Sequence, residues 1–303
     1  MDFRQIEAYI KVIELASFSK AAEAIFLSQP SVSTYIGALE KELDTILINR
    51  STKEVSPTLA GKIFYENAKE LLALKHITME RIKNLSGDLS GEINILASSV
   101  PSQYILPEVI ACFNRVYPEV SFNVKQGDTL EVSRGIASQQ AEIGFSGGII
   151  ENDKCDFREF IEEQMVFIAP WGSEFSDSRE YSLEELLYNH CFISREKGSG
   201  TRMQYESFFM EQKVKLDKIN INACINFDNT QSIITAVING LGISMVSEFA
   251  ARAFIEQKMV MPIKLKIKLP ERKFYYVLKK NFSNSHLVDL FIDFLVNEYQ
   301  SRT

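Results

Sequence analysis

Cysteine and histidine are scarce in this chain, and neither is spaced for a metal. Cys112, Cys155, Cys191 and Cys224 form no CxxC pair, and His76, His190 and His286 lie far apart, so the ligand sets of structural zinc sites are missing. The thiols are expected to be reduced and mostly buried. No apolar run approaches the roughly 18–20 residues that span a bilayer. The opening "MDFRQIEAYI" has neither the basic start nor the apolar core of a signal peptide, and a cytosolic protein is expected. Positive charge is not in surplus either. The net charge is −7, and residues 1–90 carry 11 Lys+Arg against 12 Asp+Glu. A nucleic-acid surface in that region must therefore concentrate its basic groups on one face. No GxxxxGK[ST] loop occurs, which removes the commonest phosphate-binding enzyme signature. No cofactor and no metal are expected.

What is present fits an ordinary globular protein, with 46% hydrophobic and 24% charged residues. A length of 303 residues suggests two or three domains. Residues 1–45 read as successive helices. Phe3, Ile6, Ile10 and Ile13 share one helical face. "Ala16-Ser17-Phe18-Ser19" interrupts with two serines able to cap a helix, and "KAAEAIF" supplies Ala21 and Ala22 for close helix packing. "Leu27-Ser28-Gln29-Pro30" is a second break, with Ser28 or Gln29 at the cap and Pro30 suited to the first turn. A third helix is expected to bury Val32, Ile36, Leu39 and Leu43 and to present Ser31, Ser33, Thr34, Tyr35 and Lys41 outward. Small hydroxyl side chains on such a face suit phosphates and base edges in a major groove. "LINRSTKEVSP" then reads as two short strands around a polar turn, a wing that places Arg50, Ser51, Thr52 and Lys53 near backbone phosphates.

The stretch "FRQIEAYIKVIELASFSKAAEAIFLSQPSVSTYIGALEKELDTILINR", followed by "TLAGK", resembles the N-terminal domain of LysR-type transcriptional regulators. The resemblance rests on the SFSKAAE turn, on SQPSVS, on the spacing of Ile36, Leu39, Glu40 and Leu43, and on the TxAG after the wing. Asp44 stands where the family usually has a glycine, and Ile48 where it usually has a phenylalanine. Aspartate tolerates the left-handed helix end that glycine would supply, and isoleucine keeps the position apolar. The resemblance implies a winged helix-turn-helix over residues 1–57 and a linker or dimerisation helix over residues 58–88. It further implies a two-lobed α/β effector domain over residues 89–303, of a fold like the periplasmic binding proteins. The implied partners are double-stranded promoter DNA, a small effector, and a second copy of the chain in a homodimer or homotetramer, with no membrane.

The residues themselves agree with that outline. From about Thr58 to Leu85 one long helix is expected, with a 3/4 pattern through Phe64, Ala68, Leu71, Lys75, Thr78, Ile82 and Leu85. Such a seam serves either a helix lying on its own domain or a dimerising linker. "Ser86-Gly-Asp-Leu-Ser-Gly91" marks a boundary. Beyond it strands and helices alternate, which predicts an α/β domain with parallel sheets. Lobe I would span about 91–165 and 268–303, and lobe II about 166–267. The whole is an α+β multidomain protein.

In open α/β sheets, ligands sit beyond strand carboxyl ends and against helix N-termini. Five places qualify: Ser98-Ser99, Gly127-Asp128-Thr129, Ser146-Gly147-Gly148, Ser199-Gly200-Thr201-Arg202 and Asn229-Thr230. Each also reads as an ordinary helix cap, and Thr129 is expected to be a cap alone. The effector candidates are therefore Ser98, Ser99, Ser146, Ser199, Gly200, Thr201 and Arg202, a set that favours an anion or carboxylate. The stretch "REKGSGTR" (residues 195–202), with the Ser98-Ser99 loop, resembles regulators of cysteine biosynthesis and sulfur assimilation and a related branch associated with selenium metabolism, which implies sulfate, thiosulfate or an O-acetylserine-like effector. Two competing readings remain. One is a solute-binding or transferase-like α/β protein with an added helical domain. The other is a serine hydrolase, because "Gly144-Phe-Ser-Gly-Gly148" satisfies GxSxG with Ser146 as nucleophile and His286 downstream; the sequence after it, however, makes a poor helix.

Overall fold

A computed structural model describes residues 1–50, 55–83, 89–175, 179–214 and 226–300, with the backbone alone at 50, 80, 81, 83 and 300. The chain forms two compact units, residues 1–88 and 89–303.

In the first unit, α1 (Phe3–Leu15) starts at Asp2 with a reciprocal capping box to Gln5 and buries Ile6, Ala8, Tyr9, Ile10 and Val12. Ser17 caps α2 (Phe18–Ala24), whose buried Ala21 and Ala22 allow the close approach expected of them. Ser28 caps α3 (Gln29–Glu42) by accepting from the Ser31 N–H. Val32, Ile36 and Leu39 are buried as expected, but Leu43 is 40% exposed, because the helix ends at Glu42 and the stripe ends with it. Asp44 takes the left-handed conformation, φ 48°. Strands β1 (Ile48–Arg50) and β2 (Val55–Pro57) pair antiparallel.

The motif residues have physical duties here. The Glu40 carboxylate accepts from the Leu47 and Ile48 N–H groups at 2.9 and 3.2 Å, tying α3 to the wing. Gly61 carries no side chain because a Cβ would lie 2.1 Å from the Leu47 carbonyl oxygen, and the Tyr9 hydroxyl donates to the Gly61 carbonyl at 2.9 Å. Helix α4 (Leu59–Lys83) is one long rod. Its expected seam is divided between two uses. Phe64 and Ala68 pack on Ile6 and Ile10 of α1, and Lys75 Nζ lies 4.8 Å from the Phe3 ring, whereas Leu71 and Ile82 are exposed along with Leu74 and Met79. Leu85 lies outside the described residues.

The second unit is built on a seven-stranded sheet. Strand β3 (Gly91–Ala97) is followed by a π-helical turn (Pro101–Ile105), α5 (Leu106–Val116), β4 (Val120–Gln126), α6 (Thr129–Ala137) and β5 (Ile143–Ser146). Strand β3 runs parallel to both β4 and β5. The expectation of parallel sheets fails for the rest of this sheet, whose other pairs are antiparallel. Strand β6 (Cys155–Pro170) is 16 residues long, and its apolar end, "QMVFIAP", begins nine residues in. Its first half pairs antiparallel with β11 (Glu271–Lys279), ending at Gln164↔Glu271. Its second half pairs antiparallel with β9 (Ser244–Ser247), starting at Met165↔Ser247, and with β10 (Val260–Ile263). One strand thus runs from lobe I into lobe II.

Lobe II adds α7 (Leu183–Asn189), β7 (Ser194–Arg195), α8 (Gly200–Glu211), β8 (Asn226–Phe227), α9 (Thr230–Ile238) and α10 (Glu248–Glu256). Lobe I is closed by β11 and α11 (His286–Gln300). Its core centres on Phe113, which meets Phe122, Phe291 and Phe294 edge-on at 5.3–5.7 Å, the aromatic geometry that the ring quadrupole favours. Lobe II has a core on each side of its sheet, around Phe167, Phe192 and Phe209 on one and Ile233, Ile234 and Val246 on the other.

Candidate functional site

Strand ends and helix heads converge on one small, polar cleft in the second unit. Ser98, Ser99 and Val100 come from the end of β3; Asp128 and Thr129 from the head of α6; Arg195 from β7; Ser199, Gly200 and Thr201 from the head of α8; Arg272 from β11. Helix heads present backbone N–H groups that have no intrahelical acceptor, so the arrangement favours a negatively charged group.

The two guanidiniums are buried and differ in how they are occupied. Arg195 is gripped on nearly every side. Glu196 accepts from its Nε and Nη2 at 2.7 and 2.8 Å, Thr230 from Nη1 at 3.0 Å, and the Ser99 hydroxyl and Asp228 carbonyl from Nη2 at 3.1 and 3.2 Å. Arg272 donates from Nε to the Gly147 carbonyl at 3.2 Å and lies 4.6 Å from the Phe274 ring centre. Its Nη1 stands 3.7 Å from Glu163 Oε1, beyond hydrogen-bond reach, and has no hydrogen-bond partner. Burial lowers the Arg272 pKa to about 10, with Glu163 opposing the shift and Arg195 adding to it; the group stays charged at neutral pH. Burial likewise pushes the Glu163 carboxyl up, against Arg272, the Phe249 N–H and the Ser247 hydroxyl. The latter two donate to Glu163 Oε2 at 3.0 and 2.7 Å.

The hydroxyls of Ser98 and Thr129 are also buried without a hydrogen-bond partner. An unpaired buried polar group costs about 1–3 kcal/mol, and three such groups line one cleft. Two glycines keep it open. A Cβ on Gly147 would sit 1.9 Å from Arg272 Nη2, and one on Gly200 would sit 2.8 Å from the Gly147 carbonyl oxygen and 2.9 Å from Thr129 Oγ1.

Of the residues predicted from sequence, Ser98, Ser99, Ser199, Gly200 and Thr201 line the cleft. Two do not. Arg202 turns along its own helix, donating from Nε to Glu206 at 2.7 Å, and its Nη1 props the Arg195 carbonyl at 2.8 Å. Ser146 is fully buried and donates to the Gly148 carbonyl at 2.8 Å, so it shapes the turn next to Arg272. No helix follows it; the next element is β6, and the nucleophile-elbow geometry is missing. Thr129 is corrected as well: Asp128 is the cap of α6, accepting from the Glu131 N–H, and Thr129 faces the cleft. Ser199 occupies the cap position of α8, but its side chain makes no capping bond. Asp128 stood among the five places named from sequence but not among the effector candidates, and sequence reasoning missed Arg195 and Arg272 as cleft residues. Arg195 lies inside the REKGSGTR stretch, whereas Arg272 sits in a strand with no local signal.

In the first unit, Ser28, Gln29, Thr34 and Lys41 are exposed and Ser31, Ser33 and Tyr35 half-buried. Ser28 and Ser31 share a hydrogen bond at 2.8 Å, and the Thr34 hydroxyl donates to the Pro30 carbonyl at 2.9 Å. Arg50 ends β1, with its side chain outside the description; Ser51, Thr52 and Lys53 lie outside the described residues. Phe26, in the turn before α3, is 96% exposed with φ 54°. Among the described residues no group of histidine, cysteine or acidic side chains could hold a metal ion, and no helix is long and apolar enough to cross a membrane.

Comparison with known proteins fits both units. Residues 3–62 match the bacterial regulatory helix-turn-helix of the lysR family, and residues 86–300 match the LysR substrate binding domain. The chain is 32% identical over 302 residues to the HTH-type transcriptional regulator CysL of Bacillus subtilis, covering 100% of this chain and 99% of that protein. Its fold is similar to full-length OxyR from Pseudomonas aeruginosa, with a TM-score of 0.74 at 17% identity over 97% of this chain and 94% of that one. It is also similar to CbnR complexed with its target DNA, at 0.66 and 18% identity over 98% and 99%. These families and relatives are transcriptional regulators, not enzymes, and the chain belongs to the LysR family of transcriptional regulators.

Proposed function

We propose that the first unit reads promoter DNA and that a small ligand with an anionic group, bound in the cleft of the second, changes that binding. The observation that carries the ligand half is the Arg272 Nη1 donor, buried and unpartnered beside two unpartnered hydroxyls. Donors that have been desolvated during folding and aimed at one space are preorganised for an acceptor. Ligand binding between lobes joined through β6 biases their closure, and a homodimer or homotetramer paired through α4 transmits that bias to the wings. The readers are Ser28, Gln29, Ser31, Ser33, Thr34 and Tyr35 on α3, with Lys41, Arg50, Ser51, Thr52 and Lys53 on phosphates. The likeness to CysL over the whole chain and the resemblance of residues 195–202 support control of sulfur and cysteine metabolism, with sulfate, thiosulfate and O-acetylserine as the first ligands to try; selenium metabolism is the neighbouring reading.

The test couples two measurements. The full chain should shift DNA from upstream of its own gene in a gel, and one of those ligands should alter the shift and raise the melting temperature. Ser98→Ala together with Thr129→Val should erase the ligand's effect while leaving ligand-free DNA binding intact. Absence of any DNA shift sinks the first half; an unaltered ligand response in the double variant sinks the second.

A further inference from the structure

The cleft holds a carboxylate that a purely anionic ligand would not want. Asp128 uses one oxygen, Oδ1, to accept the Glu131 N–H at 2.7 Å. Its other oxygen faces the turn before α8, since a Cβ on Gly198 would lie 2.9 Å from Oδ2. The next residue turns its unpartnered hydroxyl toward the same turn, where a Cβ on Gly200 would lie 2.9 Å from Thr129 Oγ1. Two glycines therefore let the turn before α8 approach two adjacent acceptors closely. Positive charge in the cleft is already accompanied: Glu196 holds Arg195 in a two-pronged bond and Glu163 stands beside Arg272. A dianion such as sulfate would meet the Arg272 Nη1 donor but would also face the Asp128 carboxylate. A ligand with one charge of each sign would meet both Arg272 Nη1 and Asp128 Oδ2.

We propose that the effector is a zwitterion, a small α-amino acid, and that Asp128 accepts its ammonium group while Arg272 takes its carboxylate. This rests on the cleft being the effector site. Asp128 is then the residue that separates amino acids from inorganic oxyanions and from amine-blocked analogues, because an ammonium needs acceptors whereas an amide supplies only one weaker donor. Like charge against a second anion provides the rejecting half of the discrimination.

The experiment titrates the full chain by calorimetry and thermal shift with the proteinogenic amino acids, O-acetyl-L-serine, N-acetyl-L-serine, sulfate and thiosulfate, at matched ionic strength. At least one free-amine compound should bind, and its N-acetylated form should bind about tenfold or more weakly, the worth of one charge-assisted hydrogen bond. Sulfate should do no more than chloride. Asp128→Asn keeps the helix cap, for which asparagine serves equally well, and should remove the preference for the free amine. The wild-type comparison of free and blocked amine decides the matter even if that variant misfolds. Sulfate or thiosulfate binding as tightly as any amino acid overturns the proposal, as does a blocked amine binding equally well or a panel in which no amine binds. If sulfate binds and Ser98→Ala with Thr129→Val abolishes it, the cleft stands and the zwitterion falls. If an amino acid binds and neither that pair nor Asp128→Asn weakens it, the cleft reading itself falls.

Discussion

Along α3 polar side chains stand in solvent, with Ser28, Gln29, Thr34 and Lys41 exposed, whereas around the cleft Ser98, Thr129, Arg195 and Arg272 are all buried. The difference follows what each surface would meet. A polyanion as large as DNA brings its own field and releases counterions, so solvated charges suffice and binding weakens with salt. A small ligand brings few contacts, and its donors must be stripped of water beforehand. The second arrangement puts its cost into the fold: Arg272 and Glu163 are both desolvated, and three cleft atoms lack partners. Perturbing the cleft should therefore move stability far more than perturbing the reading helix.

The largest effect is expected at Arg272. Arg272→Met strands the buried Glu163 and should cost about 3–5 kcal/mol at pH 8. The sign with pH follows from Glu163, whose carboxyl burial already holds above its usual value of 4.5. The folded state binds this proton more tightly than the unfolded chain, so the group's contribution is complete below about 4.5 and lost as pH rises through the higher folded value. Removing the arginine raises that value further. The penalty measured by urea unfolding should shrink from pH 8 to pH 5.5, and a cost independent of pH would rule out a stranded carboxylate. Gly147→Ala comes next: its methyl carbon would lie 1.9 Å from Arg272 Nη2, in a pocket also closed by Phe274. Overpacking of this kind costs about 1–3 kcal/mol. The ligand-induced melting shift should vanish while ligand-free DNA binding survives; a variant with full ligand response would show that Arg272 is not held where the cleft needs it.

How much of this was legible in the sequence depended on how far apart the partners lie. Ser17, Ser28 and Asp44 act on their own helix ends, and their roles followed from local capping rules. Ser98, Ser99 and residues 199–201 could be placed at one cleft because strand ends and helix heads are themselves local signals. Arg272 was invisible, since its burial depends on Gly147 and Glu163, which other elements deliver. The first half of β6 read as polar, with Asp156, Arg158, Glu159, Glu162 and Glu163, and becomes a strand only because β11 pairs along it. Thr129 was misread by a single residue of cap register, and Arg202 was lost to Glu206 one helical turn ahead.

Phe26 tests the exposed side of the comparison. It holds φ 54° with its ring 96% exposed, and a bulky residue in the left-handed region costs roughly 1–2 kcal/mol. Phe26→Gly should recover most of that and raise the melting temperature of the first unit. If stability instead falls, the ring has a packing role. Gel shifts on the same variant report whether the strain is kept for DNA contact, since weaker binding by a more stable protein has no folding explanation.

The smallest stability effect, and the sharpest division of labour, is expected on α3. Ser33→Ala and Lys41→Gln should each change stability by no more than about 0.5 kcal/mol, as surface substitutions do. Their effects on DNA should differ in kind. Lys41 presents a charge at the end of the helix, so Lys41→Gln should weaken binding to all sequences alike and reduce the slope of log affinity against log salt by about 1. Ser33 carries no charge and is half-buried on the helix that would enter the groove, so Ser33→Ala should leave the salt slope alone and erode the preference for the promoter over unrelated DNA. The two readouts are independent, and measuring both variants on both sequences across a salt series assigns each residue. Equal loss of preference from both would mean that α3 does not read bases through its serine face.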